Sequence, residues 1–140
     1  MYTVAQLMTR DVVTLREGET LEDADALLER RHVRHLPVVR GKKLVGLVTH
    51  RDLLRAFQAS GKTRRPVLAR DAMTRDVTTL RPDASLLEAI RLMLANKFGC
   101  LPVTARDGTL VGIVTESDLL RVAAERVEEI DRRDLAAEFE

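Results

Sequence analysis

Apolar positions along this chain change their period several times, and the whole succession of changes occurs twice. Short β-rich runs at Val12–Leu15 and Val77–Leu80 each give way to a stretch with helical apolar spacing. In the first stretch the apolar positions are Leu21, Ala24, Leu27 and Leu28; in the second they are Leu86, Ala89, Ile90 and Met93. Each stretch carries a start signal. Thr20 with Asp23, and Ser85 with Glu88, have the capping-box spacing at which side chains satisfy the free N–H groups of a first helical turn. Two hairpins are predicted next: Leu36–Val39 with Leu44–Val48 around Gly41, and Cys100–Thr104 with Leu110–Val114 around Asp107-Gly108. Helices then open near Arg51 and near Ser117. The second continues toward Phe139, with an apolar stripe at Leu120, Ala123, Val127 and Ile130. A helix of about 20 residues reaches roughly 30 Å, beyond the needs of one small half. The stripe is therefore expected to pack across the other half or against a second subunit.

The repetition is literal. Met8-Thr9-Arg10-Asp11-Val12 recurs letter for letter as Met73-Thr74-Arg75-Asp76-Val77, and at the same offset Thr14-Leu15-Arg16 matches Thr79-Leu80-Arg81 and Leu36-Pro37-Val38 matches Leu101-Pro102-Val103. After one extra residue in the second copy's turn, Val45-Gly46, Thr49 and Asp52 to Arg55 align with Val111-Gly112, Thr115 and Asp118 to Arg121. The reading is an α/β (α+β) chain of two β-α-β-β-α units with a long C-terminal helix. The first unit spans 4–58 and the second 69–123, with a linker at 59–68 and a helical extension at 124–140. The linker stretch Ala59 to Pro66 has no periodicity, and its Lys62, Arg64 and Arg65 form a small basic patch.

Composition narrows the function. With 140 residues, 45% hydrophobic but only 3% aromatic and no Trp, the core must be built from Leu, Val, Ile, Ala and Met. The 23 basic residues nearly cancel the 22 acidic ones, which does not suggest a surface shaped for nucleic acid or an anionic membrane. Cys100 is alone, so no intramolecular disulfide forms and a reducing compartment fits. Met1–Ala5 shows no basic-then-apolar secretory pattern, and no apolar run reaches the roughly 18–20 residues that span a bilayer. A cytoplasmic location is expected. Dinucleotide-binding glycines, a Walker loop, a nucleophile elbow and metal-ligand spacing are all lacking, so no catalysis is expected. His32 and His35 have no third ligand nearby in sequence, and no metal is expected. Cys100, on a predicted strand without an adjoining His, reads as a buried structural thiol, and His50 as exposed rather than catalytic. The basic run Arg30 to His35 fits either a solvated helix end or a phosphate contact.

The segments Gly46-Leu47-Val48-Thr49-His50-Arg51-Asp52 and Gly112-Ile113-Val114-Thr115-Glu116-Ser117-Asp118 carry the candidate chemistry. A glycine after a strand lets backbone approach closely. Thr and Asp three residues apart then sit at a helix N-terminus, where free N–H groups and the dipole favour phosphate. An Asp carboxylate can accept both hydrogen bonds of a ribose diol. Thr-x-x-Asp is also a capping box, so these residues could simply start helices; the two roles are compatible.

With the Leu-Pro-Val strand before each segment, residues 4 to 122 resemble the CBS domain family. The resemblance implies two domains paired through their sheets about a pseudo-two-fold axis, with two clefts for adenosine derivatives such as AMP, ADP, ATP or S-adenosylmethionine as regulatory ligands. It also implies no required cofactor, a homodimer and a regulated partner protein. CBS domains occur inside nucleotide-synthesis dehydrogenases, but a catalytic barrel needs about 250 residues. Carried over residue by residue, one cleft holds ribose on Asp118, phosphate on Thr115 and Ser117, and adenine against Val12, Val13, Val33 and Ile113. The other uses Asp52, Thr49 and Arg51, with Val77, Thr78, Phe98 and Leu47 around the base. Thr9 and Thr74 lie near the mouths. Arg34, His35 and Arg51 stand where the second copy has Gly99, Cys100 and Ser117. The Asp52 cleft is therefore expected to prefer more phosphate charge, and the Asp118 cleft a monophosphate, a neutral adenosine derivative or nothing. The rival readings are a ligand-free structural dimerisation module and a nucleic-acid binder using Arg30, Arg31, Arg64 and Arg65, the latter disfavoured by charge balance and scarce aromatics.

Overall fold

Both capping signals open helices where the spacing places them. In the computed structural model, which describes residues 1–60 and 66–138, helix α2 (Leu21–Arg31) begins on a reciprocal box. Asp23 N donates to Thr20 Oγ1 at 3.2 Å, and Thr20 N donates to the Asp23 carboxylate at 3.1 Å. Its counterpart α5 (Leu86–Asn96) has only half of that box, with Glu88 N donating to Ser85 Oγ at 3.0 Å. Both helices stop on a left-handed residue, His32 (φ 52°) and Lys97 (φ 57°), whose N–H returns to the last turn.

The hairpins also form as predicted. β2 (His35–Arg40) pairs antiparallel with β3 (Lys43–Thr49), placing Leu36 opposite Val48, and β4 (Cys100–Thr104) pairs with β5 (Leu110–Thr115), placing Leu101 opposite Val114. Gly41 (φ 62°) and Gly108 (φ 90°) supply the positive φ of the two turns. Helix α3 (His50–Ser60) leaves β3 directly, and α6 (Glu116–Glu138) leaves β5. Residues 61–65, with Lys62, Arg64 and Arg65, lie outside the described residues.

The expected first strands are much shorter than Val12–Leu15 and Val77–Leu80. Strand β1 is Leu15–Arg16 alone, parallel to Val38–Val39, and in the second copy only Leu80 bridges to Val103. The cause is an exchange between copies. Thr9 bridges Ile113 on β5 of the second copy, and Thr74 bridges Leu47 on β3 of the first. Residues 10–14 and 75–79 therefore span the gap between sheets instead of pairing within one.

Each copy thus begins inside the other. Short helices α1 (Val4–Leu7) and α4 (Ala69–Ala72) precede the exchanged bridges. Val4 and Met8 pack with Leu80, Ala89, Leu101, Val103 and Val114, the core of the second copy. Ala69 and Met73 pack with Leu15, Leu21, Leu36 and Val48, the core of the first. Backbone bonds fasten both crossings: Val4 N donates to Ala84 O at 2.8 Å and Ala69 N to Glu19 O at 2.7 Å. A fully buried Val or Met contributes about 1.5–3 kcal/mol, so neither half is expected to hold its core without the other.

Helix α6 runs out of this body. Of the two expected packings for its stripe, the one across the other half does not occur, since Leu120 is 69% accessible and Val127 and Ile130 are also open, which leaves the second-subunit packing as the expectation. Among the described residues no helix is long and apolar enough to cross a membrane.

Candidate functional site

The glycine of each Gly-x-x-Thr-x-x-Asp segment lies within its strand, not after it, and its role is steric. A Cβ on Gly46 would stand 2.9 Å from Thr74 O and collide with the Met73 thioether; one on Gly112 would stand 3.1 Å from Thr9 O and collide with Met8. The exchanged segment of the other copy passes over the strand at this point. The same crossing brings Thr9 and Thr74 to the two Thr-x-x-Asp turns.

Both turns are capping boxes. Thr49 N and Oγ1 donate to Asp52 Oδ2 at 2.9 and 3.0 Å, and Asp52 N donates back to Thr49 Oγ1 at 3.2 Å. Thr115 N and Oγ1 donate to Asp118 Oδ2 at 2.8 and 3.1 Å. From there the copies diverge. Asp118 Oδ1 accepts from Thr9 Oγ1 at 3.0 Å and from the Arg121 guanidinium, and the residue is only 1% exposed. Asp52 is half-buried, and its Oδ1 accepts no hydrogen bond among the described residues, because neither Thr74 nor Arg55 repeats those contacts. One carboxylate is fully committed; the other keeps an oxygen for an incoming donor.

A cavity of about 980 Å³ opens where the two copies meet. Leu47, Thr49 and Arg51 line it from the first copy's β3–α3 junction, and Arg34, His35 and Val33 from the start of β2. Phe98, Gly99 and Cys100 face them from the second copy. These include residues assigned from sequence to both clefts, because the cavity straddles the junction of the copies. Asp52, Thr74 and Thr78 do not line it, and neither do Thr9, Val12, Val13, Ile113, Thr115, Ser117 or Asp118. Val77 lines a different cavity, and Val13 packs against the first core. Sequence reading missed Asp25 and Glu29 on α2, Leu54 on α3, and Lys97, all of which line the junction together with Glu116 of the second Thr-x-x-Asp segment. The helix-face residues were legible only as exposed positions of amphipathic helices.

The basic run Arg30 to His35 is divided. Arg30 and Arg31 sit exposed on the last turn of α2, while Arg34 and His35 enter the cavity wall. The His35 ring takes the room left by the missing side chain of Gly99, where a Cβ would be 2.7 Å from Nε2. Burial lowers the pKa of His35, Glu116 opposes that shift and Arg34 adds to it, so the ring favours its neutral form. Burial pushes the Cys100 thiol up to about 12, so it carries no thiolate near neutral pH. Arg34, Arg51 and Lys97 share with Asp25, Glu29 and Glu116 the lining of a cavity large enough for a nucleotide. Its two arginines on the first copy's side, Arg34 and Arg51, suit a phosphate, and the neutral His35 ring lies between them in sequence.

A family model for the CBS domain matches residues 4–59 and 69–125. Among solved structures, a Vibrio cholerae protein described as an acetoin utilization protein (AcuB) superposes with a TM-score of 0.85, at 40% identity over 94% of this chain and 97% of that one. CBSX2 in complex with AMP superposes with a TM-score of 0.79, at 34% identity over 89% of this chain and 98% of that one. Among curated proteins, inosine-5'-monophosphate dehydrogenase of Korarchaeum cryptofilum is 37% identical over 110 residues, which are 79% of this chain and 22% of that one. This chain thus spans less than a quarter of the length of such relatives.

Proposed function

The chain belongs to the CBS domain family, and on that premise we propose that it is a non-catalytic regulatory module whose junction cavity binds an adenosine-containing ligand. The supporting observation is the asymmetry of the two aspartates: Asp52, next in the chain to the cavity-lining Arg51, keeps a carboxylate oxygen with no donor among the described residues, and Thr49, Arg51, Arg34 and His35 wall the cavity. In this reading Thr49 and Arg51 hold phosphate, Leu47 and Phe98 flank the base, and Asp52, next to Arg51 in the chain, accepts from the ribose diol. Arg34, acting with Arg51, favours a di- or triphosphate over a monophosphate, and the neutral His35 ring adds no charge. The AMP held by CBSX2, a relative at 34% identity, supports the ligand class; S-adenosylmethionine remains an alternative of the same class.

The second cleft, of Asp118 with Thr9, Val12, Val13, Val33, Ile113, Thr115 and Ser117, takes a ligand only after Thr9 and Arg121 release the carboxylate. Cys100 contributes a wall and no chemistry. Ligand in the junction shifts the relative orientation of the halves through contacts such as His35 on Gly99, and a partner protein or a sister subunit in the cytoplasm reads the shift. That coupling requires a ligand that prefers one arrangement. Exposed apolar residues such as Leu94, at 76%, support a homodimer.

Thermal unfolding of nucleotide-stripped protein with AMP, ADP, ATP and S-adenosylmethionine tests this. A ligand at 100 times its dissociation constant stabilises the fold by about 2.7 kcal/mol, and Asp52→Ala should remove the shift. No shift in folded, empty protein would transfer the reading to a structural dimerisation module.

A further inference from the structure

At the far end of β3 from Thr49, a second cavity of about 280 Å³ lies between the copies. Leu44 to Gly46 of the first copy form one side; the crossing segment and the β4–β5 turn of the second form the rest. Three arginines line it, Arg75, Arg81 and Arg106, together with Thr79 and Thr104, and no acidic residue does among the described residues.

Two of these guanidiniums are anchored with donors to spare. Arg81 Nη1 donates to Thr104 Oγ1 at 3.0 Å and to the carbonyls of Thr104 and Ala105 at 3.2 and 2.8 Å. Thr104 is 4% exposed, so this anchor is firm. Arg75 Nη2 donates to Arg70 O at 2.9 Å. The remaining N–H groups of both, and all those of Arg106, make no hydrogen bond or ion pair among the described residues.

Comparison of the copies shows what is unusual. Arg10 and Arg16 stand at the positions of Arg75 and Arg81, so the first copy has the same cations. There, however, Glu17 makes a two-pronged pair with Arg40 at 2.6 and 2.9 Å, and Glu19 accepts from Arg16 N. The second copy has Pro82 and Ala84 in place of those acids. Asp83, the acid left in that turn, does not line the cavity. The nearby acids are outnumbered by cations. Arg40, with smaller contributions from Arg70 and Arg75, holds Glu17 below the usual carboxylate range. Thr109 and Lys43 pull Asp107 down to about 2.

We propose that the Arg75–Arg81–Arg106 cavity is an oxyanion site that takes a pyrophosphate-type anion and bridges the two copies at their hairpin ends. Arginine forks match phosphate oxygens in geometry as well as charge. The volume suits an inorganic anion and is small for a whole nucleotide, which separates this site from the junction cavity.

Isothermal titration of the full chain with sodium pyrophosphate at low ionic strength tests the site. Saturable binding is expected, weakened about tenfold or more by Arg106→Ala and further by Arg75→Ala/Arg106→Ala, as loss of charge-assisted contacts requires. Arg34→Ala/Arg51→Ala, in the other cavity, should leave it within about twofold. Among the described residues Arg106 makes no hydrogen bond or ion pair, so Arg106→Glu serves as a second variant and should abolish the binding. Absence of saturable heat, equal affinity in the Arg106 variants, or loss on Arg34→Ala/Arg51→Ala would each overturn the proposal, the last by placing the anion at the junction.

Discussion

Replacing Asp118 by alanine removes the acceptor of four donors: Thr115 N, Thr115 Oγ1, Thr9 Oγ1 and the Arg121 guanidinium. Replacing Asp52 removes the acceptor of two, Thr49 N and Oγ1. Loss of a helix cap alone costs about 1 kcal/mol, and that is the whole expected cost at Asp52. At Asp118 the bond from Thr9 adds about 1.5–3 kcal/mol, because it is charge-assisted and its acceptor is buried. The Arg121 pair adds little, since that side chain is 65% exposed. Alanine also relieves the burial of a charge, which trims the sum to about 3 kcal/mol. For a domain of this size each kcal/mol moves the midpoint by about 3 °C. The empty protein should therefore lose about 10 °C with Asp118→Ala and about 3 °C with Asp52→Ala in calorimetry. Thr9→Val, which deletes only the bond between copies, should fall between them. Stabilisation by AMP or ATP should follow the reverse order, vanishing with Asp52→Ala and surviving Asp118→Ala at lowered baseline. Equal midpoints for the two aspartate variants would refute the reasoning, since the Thr9–Asp118 lock would then not distinguish the clefts in solution.

Three other perturbations follow from the same geometry. Gly46→Ala and Gly112→Ala each push a methyl into backbone that cannot retreat, and should lower the urea midpoint by an equivalent of about 2–3 kcal/mol; Gly18→Ala, with nothing within 4 Å, should not. His35 has a folded-state pKa depressed below 6.5, so the unfolded chain binds its proton first. Its contribution to stability is complete above that value and is lost as pH falls below it. Urea midpoints at pH 7.5 and 5 should differ less in His35→Gln than in wild type, and identical differences would count against the buried neutral ring. Cys100 is shifted the other way, from 9.0 to about 12. Its contribution persists below pH 9 and declines as pH rises toward 12. A thiol reagent at pH 8 should label it only in denaturant, and rapid labelling of native protein would contradict its burial.

The parts of this fold legible in advance were those decided within a few residues. Thr20 with Asp23 starts a helix by bonds that span one turn, and Gly41 and Gly108 close hairpins whose strands are neighbours in sequence. The duplicated Met8-Thr9-Arg10-Asp11-Val12 was equally visible as a repeat, but not as an exchange. A duplicated chain can pack each opening segment on its own copy or on the other, and the apolar pattern of Val4 and Met8 serves either core. Only the bridges of Thr9 to Ile113 and Thr74 to Leu47 decide it. Once they exist, residues 10–14 and 75–79 must cross the gap and cannot be strands, which is why the β-rich runs there mislead. The site inherits that ambiguity. Thr49 and Arg51 were legible because a capping box marks them, whereas Glu29, Lys97 and Glu116 reach the cavity only because the copies interlock. The inequality of Asp52 and Asp118 was beyond a reading by alignment, since both copies carry Thr, Asp and Arg at matching places. It arises because Thr9 and Arg121 reach Asp118 Oδ1, while among the described residues neither Thr74 nor Arg55 reaches Asp52 Oδ1. The crossing segments that Gly46 and Gly112 admit thus differ in effect: one brings the Thr9 hydroxyl to Asp118, and the other brings no donor to Asp52 among the described residues.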